Sequence, residues 1–119
     1  MKVETVDYLT IPTRDVARAV EWYCDVLGLE RGATDEVETP NVTLSFWNPE
    51  EDGEPFVPNT GGLGLRVADV EAARRELEEK GIEFFGQTVD SGVCHMAFLR
   101  DPDGNTVTLH RRYAPRGES

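Results

Sequence analysis

Residues 8–19 read YLTIPTRDVARA, and residues 62–73 read GLGLRVADVEAA. In each stretch a strand-like apolar segment is followed by an aspartate, Asp15 or Asp69, and then by a helical pattern. The two aspartates are 54 positions apart. A repeat of this kind predicts two copies of one module packed together, with a ligand-binding cleft between them.

Each module is expected to contain one amphipathic helix that begins after its aspartate. Aspartate is a strong N-cap residue, because its carboxylate accepts hydrogen bonds from free N–H groups of the first turn. Gly28 and Gly81 are suited to end the two helices. The apolar residues recur at helical spacing and form one stripe per helix: Val16, Ala19, Val20, Tyr23 and Leu27 in the first, and Val70, Ala73 and Leu77 in the second.

The remainder of each module is typical of short strands separated by turn residues. Residues 101–104, DPDG, predict a tight turn, because proline presets φ and glycine closes the turn. The expected strands are Val3–Ile11, Leu29–Ala33, Glu36–Thr39, Val42–Trp47, Leu63–Val67, Ile82–Thr88, Cys94–Arg100 and Thr106–Arg112. The fold class is therefore α+β, with two βαβββ modules.

The chain length of 119 residues predicts one domain. We expect it to consist of a module at 1–47, a connector at 48–60, a second module at 61–113 and a short tail at 114–119. The connector contains three prolines and four acidic residues and is interpreted as a linker. A position over the mouth of the cleft is the alternative for this segment.

Composition excludes several classes of partner. The formal net charge of −11 disfavours binding to nucleic acid, whose phosphates it would repel. No apolar run approaches the roughly 18 residues of a membrane span, and no leader pattern follows Met1. Cys24 and Cys94 lie within apolar runs rather than in a disulfide framework. These features indicate a soluble cytoplasmic protein that binds neither nucleic acid nor membrane.

Three motifs resemble a known family. They are Val20-Glu21-Trp22-Tyr23, Val26-Leu27-Gly28-Leu29, and the segment FLRDPDGN at residues 98–105. Together with the repeat they are similar to the vicinal oxygen chelate superfamily, which includes glyoxalase I, bleomycin-resistance proteins and extradiol dioxygenases. The resemblance implies that the two modules form a paired open barrel with a concave ligand or metal site. It also favours a homodimer, in which a partner covers exposed sheet edges.

The resemblance further implies where metal enzymes of the family place their ligands. The matching positions are Tyr8, Gly62 and Thr108, with the first-module counterpart of Thr108 at or near Leu44. Leucine and glycine offer no donor side chain, and neutral threonine and tyrosine bind divalent cations poorly. We therefore expect no metal and no other cofactor. No phosphate-binding glycine loop or dinucleotide motif is present either.

Cys94 and His95 are adjacent but are not expected to form a nucleophile–base pair, because neighbours on a strand point to opposite faces. With Phe98 and Thr108 on the concave side, Met96 opposes His110 across the last hairpin. A register shifted by one residue would instead place His95 opposite His110, where the pair could bind a metal. Otherwise His95 is expected to lie under a helix.

The favoured hypothesis is metal-independent binding of a small, partly aromatic molecule, as in antibiotic-sequestering members of the family. The expected ligand-binding residues are Tyr8, Thr10, Phe46, Gly62, Met96, Thr108 and His110. Arg14 and Arg66 are further candidates for meeting an anionic ligand. The alternative is a lyase, isomerase or dioxygenase that uses a relocated metal on His95 and His110, or His110 as an acid–base group. A third hypothesis is an accessory subunit with a collapsed cleft.

Overall fold

A computed structural model describes residues 1–116. Within it the chain divides into two compact units, one comprising residues 1–59 and 101–105, the other residues 60–100 together with the segment from Thr106 onward. The first unit thus includes the DPDGN turn at residues 101–105. No helix among the described residues is long and apolar enough to cross a membrane. Residues 117–119 of the predicted tail lie outside the described part.

The first unit is built from five regular elements and one short helix. The strands and helix are β1 (Tyr8–Pro12), α1 (Val16–Asp25), β2 (Glu30–Arg31), β3 (Glu36–Glu38) and β4 (Thr43–Trp47), followed by a 3-10 helix at Pro49–Asp52. The strands form a sheet in the order β1-β4-β3-β2, with β1 parallel to β4 and the other pairs antiparallel. This sheet and α1 together form the first βαβββ module.

The second unit repeats that plan. Its elements are β5 (Leu63–Arg66), α2 (Val70–Glu79), β6 (Phe84–Asp90), β7 (Cys94–Arg100) and β8 (Thr106–Arg112). The sheet order is β5-β8-β7-β6, with β5 parallel to β8 and the other pairs antiparallel. The two sheets therefore have the same topology, and the predicted α+β fold of two βαβββ modules is confirmed.

Both helices begin as predicted, and the predicted glycine follows the end of each, although α1 ends at Asp25, before the expected Leu27. The side chains of Asp15 and Asp69 accept hydrogen bonds from the N–H groups of Arg18 and Ala72. Gly28 and Gly81 have φ angles of 72° and 87°, in the left-handed region that favours glycine after a helix. The two modules thus share both their topology and the chemistry that ends their helices.

Each sheet packs one face against its own helix. The buried side chains on this side are Ile11, Ala19, Val20, Tyr23, Val37, Leu44 and Phe46 in the first unit, and Val70, Leu77, Ala97, Leu99, Val107 and Leu109 in the second. Because neighbours on a strand alternate, the residues between them point away from the helix. We call that second side the helix-free face of each sheet.

Most strand predictions are confirmed, and Cys94–Arg100 and Thr106–Arg112 match in both bounds. The predicted strand Val3–Ile11 begins too early, because β1 starts at Tyr8, the residue that pairs with the first residue of β4. The strand predicted at Ile82–Thr88 is shifted and runs over Phe84–Asp90. Strand ends are set by the available partner strand, which local alternation does not reveal.

Candidate functional site

The DPDGN turn forms a buried polar cluster in the first unit. Asp101 accepts hydrogen bonds from the Tyr23 hydroxyl at 2.7 Å and from the Asn105 side-chain amide at 2.8 Å. The Asn105 amide also donates to the backbone carbonyl of Pro12 at 2.8 Å. Burial, with the neighbouring Asp101 carboxylate, raises the pKa of Tyr23, so the phenol stays protonated and donates.

Asp103 extends this cluster to the start of α1. Its carboxylate accepts hydrogen bonds from the Thr13 hydroxyl, the Arg14 backbone N–H and the Arg18 guanidinium. The Asp103 side chain is buried by these contacts. All of its partners are structural groups, so the most specific motif of the sequence stabilises the fold and leaves ligand chemistry to other residues.

The helix-free face of the second sheet carries two rows of side chains. One row crosses Gly64 on β5, Thr108 on β8, Phe98 on β7 and Phe85 on β6. The next row crosses Arg66, His110, Met96 and Val89 in the same strand order. The predicted residues Met96, Thr108 and His110 therefore share one face, and all three are half-buried.

Aromatic contacts organise the outer part of this face. The rings of Phe85 and Phe98 are stacked, with their centroids 5.8 Å apart. The Arg100 guanidinium lies 4.0 Å from the centroid of the Phe85 ring. The second sheet therefore carries an aromatic pair, with Arg100 over Phe85 and with Phe98 directly opposite Thr108.

Two glycines shape the edge of the same face. A Cβ atom added at Gly64 would meet no atom within 4 Å, so there is free space beside Thr108. Gly62 has a φ of 89°, and an added Cβ would lie 3.1 Å from the Thr108 hydroxyl oxygen. The positive φ at position 62 thus favours glycine there, whereas Gly64 leaves free space above the sheet.

The helix-free face of the first sheet holds two other predicted residues, Tyr8 and Thr10. They are paired with Thr43 and Ser45 of β4, which in turn oppose Glu38 and Glu36 of β3. The Thr43 hydroxyl donates to the Glu38 carboxylate at 2.8 Å. This face is polar and acidic, and Tyr8 is 58% exposed on it.

Phe46 was a wrong choice as a ligand-binding residue. It is only 2% exposed and belongs to the core between the sheet and α1. Its ring centroid lies 4.9 Å from that of Tyr23 on the helix. Residues 44–47, LSFW, contain three apolar side chains, so the sequence did not show which of them face the helix.

Leu44 was likewise misplaced among the implied metal-ligand positions. It is fully buried on the helix side. In the second sheet Thr108 pairs with Gly64, and in the first sheet Ser45 pairs with Thr10, so Ser45 is the structural counterpart of Thr108. A serine hydroxyl is also a weak neutral ligand for a divalent ion.

The side chains at the family's metal-ligand positions therefore do not fit a catalytic divalent ion. The first sheet offers Tyr8 and Ser45, and the second offers Gly62 and Thr108. Within residues 1–116 no group of three or more histidine, cysteine, aspartate or glutamate side chains is arranged to hold a metal. Hydroxyl groups and a glycine cannot replace the histidine and carboxylate ligands that such ions require.

The alternative register that would pair the two histidines is wrong. His110 opposes Met96, while His95 opposes Arg111 on the other face of the hairpin. His95 does not lie under a helix, since its side chain is 45% exposed and its Nε2 is 3.4 Å from Asp90 Oδ2. A metal shared by His95 and His110 is therefore excluded by the strand register.

His95 belongs instead to a small exposed cluster. The Tyr113 hydroxyl donates to Asp90 at 2.8 Å, and the His95 ring packs 4.7 Å from the Tyr113 ring. The backbone N–H of Gly92, followed by the Tyr113 hydroxyl, lowers the pKa of Asp90. The hydrogen bond from the Tyr113 hydroxyl to Asp90 also raises the pKa of Tyr113. Cys94 is buried on the other face of the strand, so no Cys–His pair forms.

Sequence reasoning missed two features of the helix-free faces. Phe85 stacks on Phe98, but the register shift between Phe85 and Val89 on β6 hides its face from simple alternation. Glu36 and Glu38 are not among the predicted site residues, although both are half-buried opposite β4 hydroxyls. Glu36 and Glu38 flank the buried Val37 on β3, so the alternation of side chains along a strand places both carboxylates on the face opposite the helix.

Comparisons with known proteins agree with this architecture. Residues 5–109 match the sequence profile of the Glyoxalase/Bleomycin resistance protein/Dioxygenase superfamily. A lactoylglutathione lyase from Pseudomonas putida is 28% identical over 104 residues, which is 87% of this chain. The chain spans 57% of the length of that enzyme.

Solved structures show the same fold. A superfamily member from Sphaerobacter thermophilus is 24% identical with a TM-score of 0.76, covering 91% of this chain and 97% of its own. TnmS3, an antibiotic binding protein from a Streptomyces species, is 24% identical with a TM-score of 0.74, covering 94% of this chain and 98% of its own. The match over residues 5–109 places this chain in the Glyoxalase/Bleomycin resistance protein/Dioxygenase superfamily.

Proposed function

We propose that this protein binds a small, partly aromatic organic molecule without using a metal ion. The observation that carries the proposal is the stacked pair Phe85–Phe98 on the helix-free face of the second sheet. Aromatic surfaces bind flat rings through stacking and dispersion. Met96, Thr108 and His110 lie on the same face and add a polarisable thioether and two hydrogen-bonding groups.

Room for a ligand is provided at the edge of that face. The space beside Thr108 is free because residue 64 is glycine. Pockets for small molecules combine an apolar wall with a few polar groups that fix orientation. Gly64, Thr108 and the phenylalanine pair form that combination within a single sheet.

Gly62 beside Thr108 is also proposed as part of the second-sheet site, and Tyr8 and Thr10 are proposed as ligand-binding residues of the first sheet. Tyr8 and Thr10 offer exposed hydroxyl groups on a helix-free face. Gly62 contributes by its backbone conformation, which brings β5 close to the Thr108 hydroxyl. Phe46 is left out because it belongs to the core.

Independence from metal is supported by the chemistry of the side chains present. None of the four positions at which metal enzymes of the family hold an ion carries a histidine or a carboxylate here. Binding by shape, stacking and hydrogen bonds needs no such ligand. TnmS3, which has the same fold, is named an antibiotic binding protein, and sequestration of an aromatic compound fits that precedent.

Calorimetric titration with neutral aromatic compounds, including 2-naphthamide, tests the proposal. Phe85→Ala should weaken binding roughly tenfold, since it removes a stacking partner. Phe84→Ala is the matched control, because Phe84 is adjacent in β6 but opposes the buried Leu99, on the helix side of the sheet. Equal loss of affinity in the two variants, or no binding of any compound by the wild-type chain, would refute the proposal. The second result would favour an accessory subunit.

An enzyme of the superfamily is the second candidate. The similarity to a lactoylglutathione lyase favours it, and His110 is the half-buried group on the helix-free face that could transfer a proton. Formation or cleavage of lactoylglutathione can be followed with and without added divalent metal. Turnover that is lost in His110→Ala would establish this candidate in place of simple binding.

We also propose that the protein is a cytoplasmic homodimer. Strand β1 is an edge of the first sheet, and Tyr8 and Leu9 on it are exposed. Exposed apolar edge strands are commonly covered by a partner. The thiols of Cys24 and Cys94 are free, as in a reducing compartment. Analytical ultracentrifugation should show a dimer, and a monomer at micromolar concentration would contradict that assignment.

A further inference from the structure

The charge on the second sheet differs from that of the chain as a whole. The chain carries 23 acidic residues, yet the four strands β5 to β8 contain a single carboxylate, Asp90. Asp90 pairs with His95, on the side of the hairpin opposite His110. The helix-free face of this sheet therefore has no acidic strand residue, whereas it contains the basic side chains Arg66, Arg100, His110 and Arg112.

We propose that the molecule bound on this face carries a carboxylate, which is held by Arg66 and His110. The inference rests on the proposed binding function and specifies the class of ligand as an aromatic carboxylate. Arg66 and His110 are direct partners in the parallel pairing of β5 with β8. Adjacent strands are about 4.8 Å apart, so both side chains can contact one carboxylate.

Arg66 is available for such a ligand. Within residues 1–116 its guanidinium forms no salt bridge or side-chain hydrogen bond. By comparison, Arg74 pairs with Glu78, and Arg100 lies over the ring of Phe85. A guanidinium stays charged at all relevant pH values and binds the two oxygens of a carboxylate in a planar, bidentate arrangement.

The position of the apolar surface fits the same ligand. Phe98 and Phe85 lie in the row that crosses Thr108, and Arg66 lies in the row that crosses His110. These rows are two residues apart along a strand, and Arg66 on β5 is two strands from Phe98 on β7, so their backbone positions are about 12 Å apart. The long Arg66 side chain and a bicyclic aromatic carboxylate together can cover that distance. An aromatic ring on the phenylalanine pair can thus extend its carboxylate to Arg66, with the Thr108 hydroxyl between them.

Arg112 adds to the positive character of this face. It opposes Cys94 on β7, two residues after His110 on β8. One of its terminal nitrogens donates to the carbonyl of Pro115, while its Nε is buried without a hydrogen-bond partner. The Arg112 guanidinium thus has no acidic partner among the described residues and lies two residues from His110 on β8.

The test compares 2-naphthoate with its neutral analogue 2-naphthamide by calorimetric titration. The wild-type chain should bind 2-naphthoate about tenfold more tightly, because charge-assisted hydrogen bonds form only with the carboxylate. Arg66→Gln should bring the two dissociation constants together, and Arg66→Lys should restore part of the preference. Arg111→Gln is the matched control, since Arg111 lies on the opposite face of β8. It should keep the full preference.

The outcomes separate this inference from the proposed function. Equal affinity of the wild-type chain for both compounds would overturn the carboxylate inference while supporting aromatic binding. Equal effects of Arg66→Gln and Arg111→Gln would also overturn it, since a general change of charge would then explain the preference. Absence of binding by either compound would overturn both proposals.

Discussion

Among single residues, Tyr23 shows most clearly how the family motif acts. Its hydroxyl donates to the buried Asp101 carboxylate, and the phenol is itself fully buried. Tyr23→Phe leaves that carboxylate without one donor, so it should lower the free energy of unfolding by about 1.5–3 kcal/mol at pH 7. Urea denaturation followed by circular dichroism measures the loss.

The same residue predicts a dependence on pH. Burial raises the pKa of Tyr23 in the folded state, whereas an unfolded tyrosine titrates near pH 10. The stability from Tyr23 is therefore present below about pH 10 and is lost as the pH rises above that value. The difference between wild type and Tyr23→Phe should shrink at pH 11. Tyr8→Phe, at an exposed tyrosine, should show no loss at pH 7.

Two results would contradict this account of Tyr23. One is a Tyr23→Phe variant as stable as the wild type at pH 7. The other is a difference in stability that stays constant from pH 7 to pH 11, since the hydrogen bond would then not depend on the protonated phenol.

At the level of the elements, local chemistry predicted most of the fold. Asp15, Asp69, Gly28 and Gly81 set the helix ends through hydrogen bonds and backbone angles that depend on near neighbours. The turn at residues 101–104 fixed both strands of the last hairpin for the same reason. These features could be predicted because each depends on a few adjacent residues.

Non-local pairing explains what the sequence did not reveal. The start of β1 depends on where β4 begins, and the face of Phe46 depends on which side α1 covers. The irregularity in β6 moves Phe85 beside Phe98. The faces of the strands were consequently predicted well on β7 and β8, where the turn set the register, and less well on β4 and β6.

Gly64 on β5 provides a prediction at this scale. Gly64→Val should leave the free energy of unfolding unchanged or slightly higher, because a Cβ atom added there meets no atom within 4 Å and valine favours strands. The same change should abolish binding of 2-naphthamide by filling the space beside Thr108. Thermal unfolding and calorimetric titration measure the two effects.

Gly61→Val is the matched control for that substitution. Gly61 lies before β5, and an added Cβ there also meets no atom within 4 Å. This variant should keep both stability and binding. If Gly64→Val bound the compound as tightly as the control, the space above β5 would not be part of the site.

For the molecule as a whole, net charge conceals a contrast between the two sheets. The strands of the first sheet contain three carboxylates, Glu30, Glu36 and Glu38, whereas the strands of the second sheet contain one, Asp90. Overall composition disfavours nucleic acid as a partner but gives no information about a small anion. The strand register, rather than the charge total, identifies the basic face.

We propose that the second sheet recognises its ligand without a metal. The chain contains two methionines, Met1 and Met96, and Met96 lies opposite His110 on the helix-free face. Protein labelled with ¹³C in its methionine methyl groups therefore gives one signal from this face and one internal control. An aromatic ring bound near Met96 shifts its methyl resonance through the ring current.

The most direct measurement is titration of this labelled protein with 2-naphthoate after treatment with a chelator and removal of metal. We expect a saturable shift of the Met96 signal, no shift of Met1, and the same dissociation constant before and after the treatment. A Met96 signal that moves only after a divalent metal is restored, or that does not move under either condition, would contradict the account.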